Sequence, residues 1–199
     1  MRRTKEEAAQ TRQEILRKAE QLFLMNGYEN VTLEEIAAAA SVTRGAVHWH
    51  FKNKQGILFA LRDEFREPLS ALAEEMMQDN ASKPLDALAD FVEKMFTTLH
   101  TDKRNKGMLR VMMYFDAVEP GAADKQAFQQ ALLLALTQIF TAADNRKKLS
   151  APWTPAMAAA LLSSSIRGLM LEWALDDATF ELVPDGQNFI RMILKNWQA

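Results

Sequence analysis

Four residues within six positions, Thr43, Arg44, Gly45 and His48, are of types suited to reading a DNA base pair. Arginine can hold guanine O6 and N7 with both arms of its fork, while threonine and histidine add single donors. Gly45 lets the backbone approach its target closely. Just beyond them, Lys52 and Lys54 suit phosphate oxygens, contacts that position a protein without reading sequence. In most surroundings the same two lysines would be an ordinary solvated pair, and only the neighbouring motif raises them. Trp49 either covers apolar surface or stacks on a nucleic-acid backbone, and His50 either donates to a phosphate or packs. Metal binding by His48 and His50 is disfavoured, because residues two apart on a helix point about 200° apart.

Such residues need a rigid rod to hold them outward, and the flanking sequence supplies one. Thr32 and Glu35 form a capping box, and Val31 and Ile36 stand where a hydrophobic staple belongs. They open a short helix over 33–39. Ser41-Val42-Thr43 interrupts it, and a second short helix follows over 44–51. Ala37, Ala38, Ala39 and Ala40 give the first helix a small face for the crossing, and Ile36, Val42, Val47 and Phe51 can lock its angle. Two short helices across such a turn make a helix-turn-helix, with the polar N-terminal part of the second aimed at base edges. The capped end at Thr32 and the start of the next helix, capped by Asn53, offer backbone N–H groups to phosphates. An arm of Arg2, Arg3 and Lys5 can reach along a duplex.

The rest of the chain is read as helical too. Apolar stripes at helical spacing recur throughout its 199 residues, and no run alternates as a strand would. The expected fold is all-α with about nine helices: 6–26, closed by Gly27, then 33–39, 44–51, one from Asn53 to past Met77, 84–100, 105–117, 123–147, 155–176 and 186–197. Pro68 falls inside the fourth, where a missing N–H and a crowded carbonyl predict a kink. Residues 1–54 are expected to form a three-helix DNA-binding domain. Residues 55–199 would form a helical ligand-binding and dimerisation domain.

Composition narrows the alternatives. The net charge of −2 alone argues against a nucleic-acid binder, but residues 1–55 carry nine Lys/Arg against seven Asp/Glu, leaving 15 against 19 for the remainder. There is no Cys and there are three His, so thiolate chemistry is excluded and a metal site is not expected. With no apolar leader and no run of membrane length, a cytoplasmic location is expected. Catalysis would need a nucleophile–base pair or a carboxylate dyad. Ser163-Ser164-Ser165 has no nearby His, and neither an enzyme nor a cofactor is expected.

The second region is rich in adaptable apolar side chains. Nine of the 11 Met lie beyond residue 75, and Met with aromatics suits a site that accepts varied apolar ligands. Individually these residues are as readily plain core. The expected ligand set is Phe65, Phe91, Met95, Leu99, Met112, Phe115, Asp116, Phe128, Leu132, Met170 and Trp173. Asp116 and Glu172 could neutralise a cationic ligand, although Glu172 could equally pair with Arg167. Leu162, Ser165, Ile166 and Leu169, with Phe189, Ile190, Ile193 and Trp197, alternate small and large residues and are read as a homodimer seam; the alternative is packing within one chain.

The stretch TLEEIAAAASVTRGAVHWHFKNKQGIL, Thr32 to Leu58, resembles the signature of TetR-type transcriptional repressors. Within them it is most similar to the branch that controls multidrug efflux pumps, the acriflavine-resistance repressor type. The segment Arg104 to Glu119, and Ile166 to Trp173 followed by Phe180, resemble that branch's ligand and dimer helices more loosely. The resemblance implies phosphate contacts for Thr32, Trp49, His50 and Lys54 and base contacts for Thr43, Arg44 and Gly45. It implies a homodimer on a pseudo-palindromic operator, released by a small apolar or cationic inducer. An activator, or a protein-binding scaffold without drug sensing, is the alternative. Two positions depart from the pattern: His48 replaces the usual Tyr, and Ser41 replaces the usual turn Gly. The latter implies either an ordinary backbone conformation or a mild strain.

Overall fold

Thr32 starts a helix because it and Glu35 satisfy each other's polar groups. Its N–H and its hydroxyl both donate to Glu35 Oε2 at 2.8 Å, and the hydroxyl accepts from the Glu35 N–H at 3.2 Å. The structure, a computed structural model, describes residues 5–78, 83–118, 123–176 and 178–199, apart from the side chains of 65, 116–118 and 123–125. Nine α-helices run through these residues: α1 (Lys5–Asn26), α2 (Leu33–Ala39), α3 (Arg44–Phe51), α4 (Lys54–Met76), α5 (Pro84–Thr101), α6 (Lys103–Val118), α7 (Ala123–Asn145), α8 (Pro155–Ala174) and α9 (Gln187–Trp197). No strand occurs among them, only an isolated antiparallel bridge between Leu149 and Gln198. Among the described residues no helix is long and apolar enough to cross a membrane. A short wide turn, Leu182–Gly186, with Val183 extended, precedes α9. Pro68 lies inside α4, which continues through it.

The capping box has an acid limit. Hydrogen bonds from the Thr32 backbone and then its hydroxyl hold the Glu35 carboxyl below its ordinary value of 4.5, with a smaller contribution from the charge of Lys54, against a small opposing effect of desolvation. A depressed carboxyl stabilises the fold fully above its unfolded value and ceases to do so as pH falls through the folded one. The start of α2 is therefore expected to fray in acid below that window, read as rising amide exchange at Thr32 and Glu35. Glu35→Gln should flatten this response while keeping the cap, because glutamine also serves in the box.

Two left-handed residues end the first two helices. Gly27, at φ +79°, closes α1. Ser41, at φ +54°, closes α2: its N–H donates to Ala38 C=O at 3.1 Å, and the Val42 N–H donates to Ala37 C=O at 2.9 Å. This paired pattern normally places glycine at the Ser41 position. Of the two conformations open at Ser41, the structure shows the strained one. Ser41→Gly is expected to stabilise the protein by about 0.5–1 kcal/mol, measured by urea unfolding.

The chain divides into two compact units. The first comprises Met1–Glu64 with Gly107–Pro120. Its core joins Ile15, Ala19 and Phe23 of α1 to Ile36, Val47 and Phe51 of the two short helices. Ile57, Leu58 and Leu61 of α4 and Met108, Met112 and Phe115 of α6 complete it. This unit therefore runs past the expected boundary at residue 54, because side chains of α4 and α6 complete the core around Phe23 and Phe51. The second unit comprises Phe65–Lys106 with Gly121–Ala199. There α7 packs on α5 and α8, and α5 packs on α9. Arg191 of α9 pairs with Glu93 and with Asp90 (3.0 Å) of α5. That guanidinium holds the Glu93 carboxyl below its ordinary range, while the two carboxylates push Arg191 upward.

Candidate nucleic-acid interface

Helix α3 has two unlike flanks. Val47 and Phe51 are buried, whereas Arg44, Gly45, His48 and Trp49 are exposed, together with the cap residue Thr43. The Thr43 hydroxyl accepts from the Ala46 N–H at 3.1 Å, which begins the helix in register. A Cβ on Gly45 would touch nothing closer than the Thr43 hydroxyl at 3.8 Å, so this edge is open to a close approach. Trp49 is 73% exposed and stacks edge-on against His50, with centroids 4.6 Å apart. It covers no core, which leaves its indole available at the surface. His50 is half-buried between the Trp49 and Phe51 rings.

The turn into α4 is tight. Lys52 has φ 62° and ψ −51°, and the Asn53 N–H donates to Phe51 C=O at 2.7 Å, a γ-turn that puts the Lys52 side chain outside. Asn53 Oδ1 then accepts from the Gly56 N–H at 2.7 Å, capping α4 as expected.

Lys54 is not a solvated partner of Lys52. Its ammonium donates to the carbonyls of Tyr28 (2.7 Å) and Glu29 (3.1 Å) and lies 4.4 Å from the Tyr28 ring centroid. Two of its three protons are thus engaged, tying the start of α4 to the α1–α2 loop. Lys54→Ala is expected to cost about 1–2 kcal/mol in urea unfolding, since charge-assisted bonds are among the stronger ones. Its effect on DNA affinity should include this loss of rigidity. The Thr32 hydroxyl is similarly occupied by Glu35.

Sequence reasoning passed over two neighbours. Glu34 pairs with Arg44, Oε1 to Nε at 3.0 Å, and the Arg12 guanidinium lies 5.2 Å from the Phe51 ring centroid. Neither relation has a local sequence signal, because each joins separate helices. Arg2, Arg3 and Glu119 lie outside the described residues. So do the side chains of Phe65 and Asp116.

The remaining expected contacts divide between the units. Met112 and Phe115 belong to the core of the first unit, where Phe115 meets Tyr28 and Phe59 edge-on at centroid distances of 5.2 and 5.8 Å. In the second, Phe91, Met95 and Leu99 share one face of α5, Phe128 and Leu132 share one of α7, and Met170 and Trp173 are neighbours on α8. All are half-buried or buried. The Trp173 indole N–H donates to Glu181 at 3.0 Å, and Lys106 lies 4.3 Å from its ring centroid.

The dimer seam needs correction. Leu162, Ile190 and Trp197 are buried within the chain, and Trp197 stacks with Phe140 and Trp153. Residues already covered add no apolar surface to a second copy. What stays outside on these elements is an α8 stripe of Met157, Leu161 and Leu171, the cap residue Leu175 after it, and Phe189 and Met192 on α9.

A rod locked into a core on one flank and showing base-reading donors on the other defines a helix-turn-helix DNA-binding regulator. The chain belongs to the tetR family of bacterial regulatory proteins, whose sequence profile matches residues 15–61. It is 29% identical to the HTH-type transcriptional repressor BepR of Brucella suis biovar 1 (strain 1330), covering 100% of this chain and 97% of that one. Its fold matches a SmeT–triclosan complex with a TM-score of 0.83 at 28% identity, over 96% of this chain and 92% of SmeT, the repressor of the Stenotrophomonas maltophilia multidrug efflux pump SmeDEF. It also matches NalD, the secondary repressor of the MexAB-OprM multidrug efflux pump in Pseudomonas aeruginosa. There the TM-score is 0.76 at 30% identity, over 96% and 98% of the two chains.

Proposed function

We propose that the protein is a homodimeric transcriptional repressor that acts in the cytoplasm on a multidrug efflux system and leaves its operator when a small apolar or cationic ligand binds. The outward flank of α3, with Arg44 at its first position, carries this reading. A two-fold dimer presents two such helices, and successive major grooves demand a spacing of about 34–36 Å. The exposed apolar residues of α8 and α9 support dimerisation through those helices. Phosphate contacts come from Thr32, Trp49, His50, Lys52 and Lys54.

The ligand contacts are assigned to Phe91, Met95, Leu99, Phe128, Leu132, Met170 and Trp173 of the second unit. A ligand acts only by preferring one arrangement of the protein over another. Helix α4 has residues in both units and is the lever, with Pro68, which lacks a backbone donor, as its pliable point.

The test uses duplexes from the DNA flanking the gene, a scrambled control, and triclosan as the probe ligand, chosen from the SmeT complex. Affinity for a palindromic duplex should fall steeply with salt, as counterion release requires, and fall again on adding triclosan. A monomer in solution, or equal affinity for palindrome and scramble at moderate salt, would overturn the proposal. Pro68→Ala should weaken release by ligand, and unchanged release discards its role.

A further inference from the structure

Arg44 is held from the side by an acidic residue of the preceding helix. Glu34 Oε1 meets Arg44 Nε at 3.0 Å, and both side chains are largely in solvent, 58% and 69% exposed. An exposed pair of this kind contributes little to stability. The capping of α2 does not require Glu34, because Glu35 and Thr32 already complete the box. A carboxylate beside the surface that meets DNA also repels phosphates, so its presence lowers affinity for every duplex alike.

The guanidinium is planar and rigid, and a carboxylate bonded through Nε leaves the opposite edge, with Nη1 and Nη2, for a second planar acceptor. That edge matches O6 and N7 of guanine. We propose that Glu34 is a positioning residue for base reading: it holds Arg44 by its Nε side, presents the terminal edge to guanine, and disfavours engagement of Arg44 with a phosphate instead. Discrimination then rises while overall affinity falls, a balance set by penalising the wrong partner. This inference rests on the DNA-binding reading above.

The test selects duplexes from a pool randomised over two half-sites, using wild type, Glu34→Ala, Glu34→Gln, Arg44→Ala and the Glu34→Ala/Arg44→Ala double variant. Glu34→Ala should bind a scrambled duplex more tightly than wild type does. Its preference for guanine at the position that Arg44 reads should drop by about fivefold, with other positions unchanged. Glu34→Gln keeps an acceptor for Nε without the charge, so it should regain most of the guanine preference and keep the tighter scrambled binding. Once Arg44 is absent, removing Glu34 should not alter base preference further. Selection of identical duplexes with equal guanine preference by wild type and Glu34→Ala overturns the role of Glu34, as does a further change in preference in the double variant. A wild-type protein that enriches no sequence overturns the DNA-binding reading instead, so the two failures are distinct.

Discussion

Arg44→Ala is expected to erase base preference at one position in each half-site while leaving the fold intact. A bidentate contact to guanine discriminates by about 1–3 kcal/mol, and a dimer loses it twice. Stability should stay within about 0.5 kcal/mol of wild type, because Arg44 is exposed and pairs with Glu34, which is also exposed. Competition between a selected duplex and one altered at that base pair measures the effect. A loss spread evenly over all sequences would instead make Arg44 a phosphate contact. Lys54→Ala provides the contrast, since its two carbonyl bonds lie inside the first unit and its loss should show in unfolding as well as in binding.

The second large effect is expected at Phe115. Its side chain is 2% exposed and meets the Tyr28 and Phe59 rings edge-on. Truncation of a buried phenylalanine leaves a cavity as well as losing transfer energy, and costs about 3–5 kcal/mol. Phe115→Ala should therefore lower the urea midpoint sharply and weaken DNA binding through the first unit. Phe115→Leu restores most of the volume and should cost less than half as much. A Phe115→Ala protein of near wild-type stability that fails only to respond to triclosan would show that the residue serves a ligand and not the core.

Most of the architecture was legible because its signals are local. The Thr32–Glu35 box, Gly27 and the Asn53 cap each act on residues three or four positions away. Helices α2 and α3 accordingly begin and end where those signals place them, and the other helices do so within a few residues. The outward set Thr43, Arg44, Gly45, His48 and Trp49 followed from the same periodicity, since burying Val47 and Phe51 turns the other flank to solvent.

Relations between elements distant in the chain were not legible. Nothing near Lys54 announces that its ammonium closes on carbonyls 25 and 26 residues earlier. The apolar residues of α6 read as a ligand face, yet Met112 and Phe115 complete the core around α1. On α8 and α9, one periodic pattern fits a dimer seam and an internal contact equally well, and Leu162, Ile190 and Trp197 proved internal. Short-range hydrogen bonding and helical periodicity are written into neighbouring residues, so the sequence by itself determined the elements and the reading flank of α3. Which apolar face meets which, and which charge finds which carbonyl, depends on how the helices fill space together. The tertiary structure alone decided those partners, the joint core of α1 and α6, and the hold of Glu34 on Arg44.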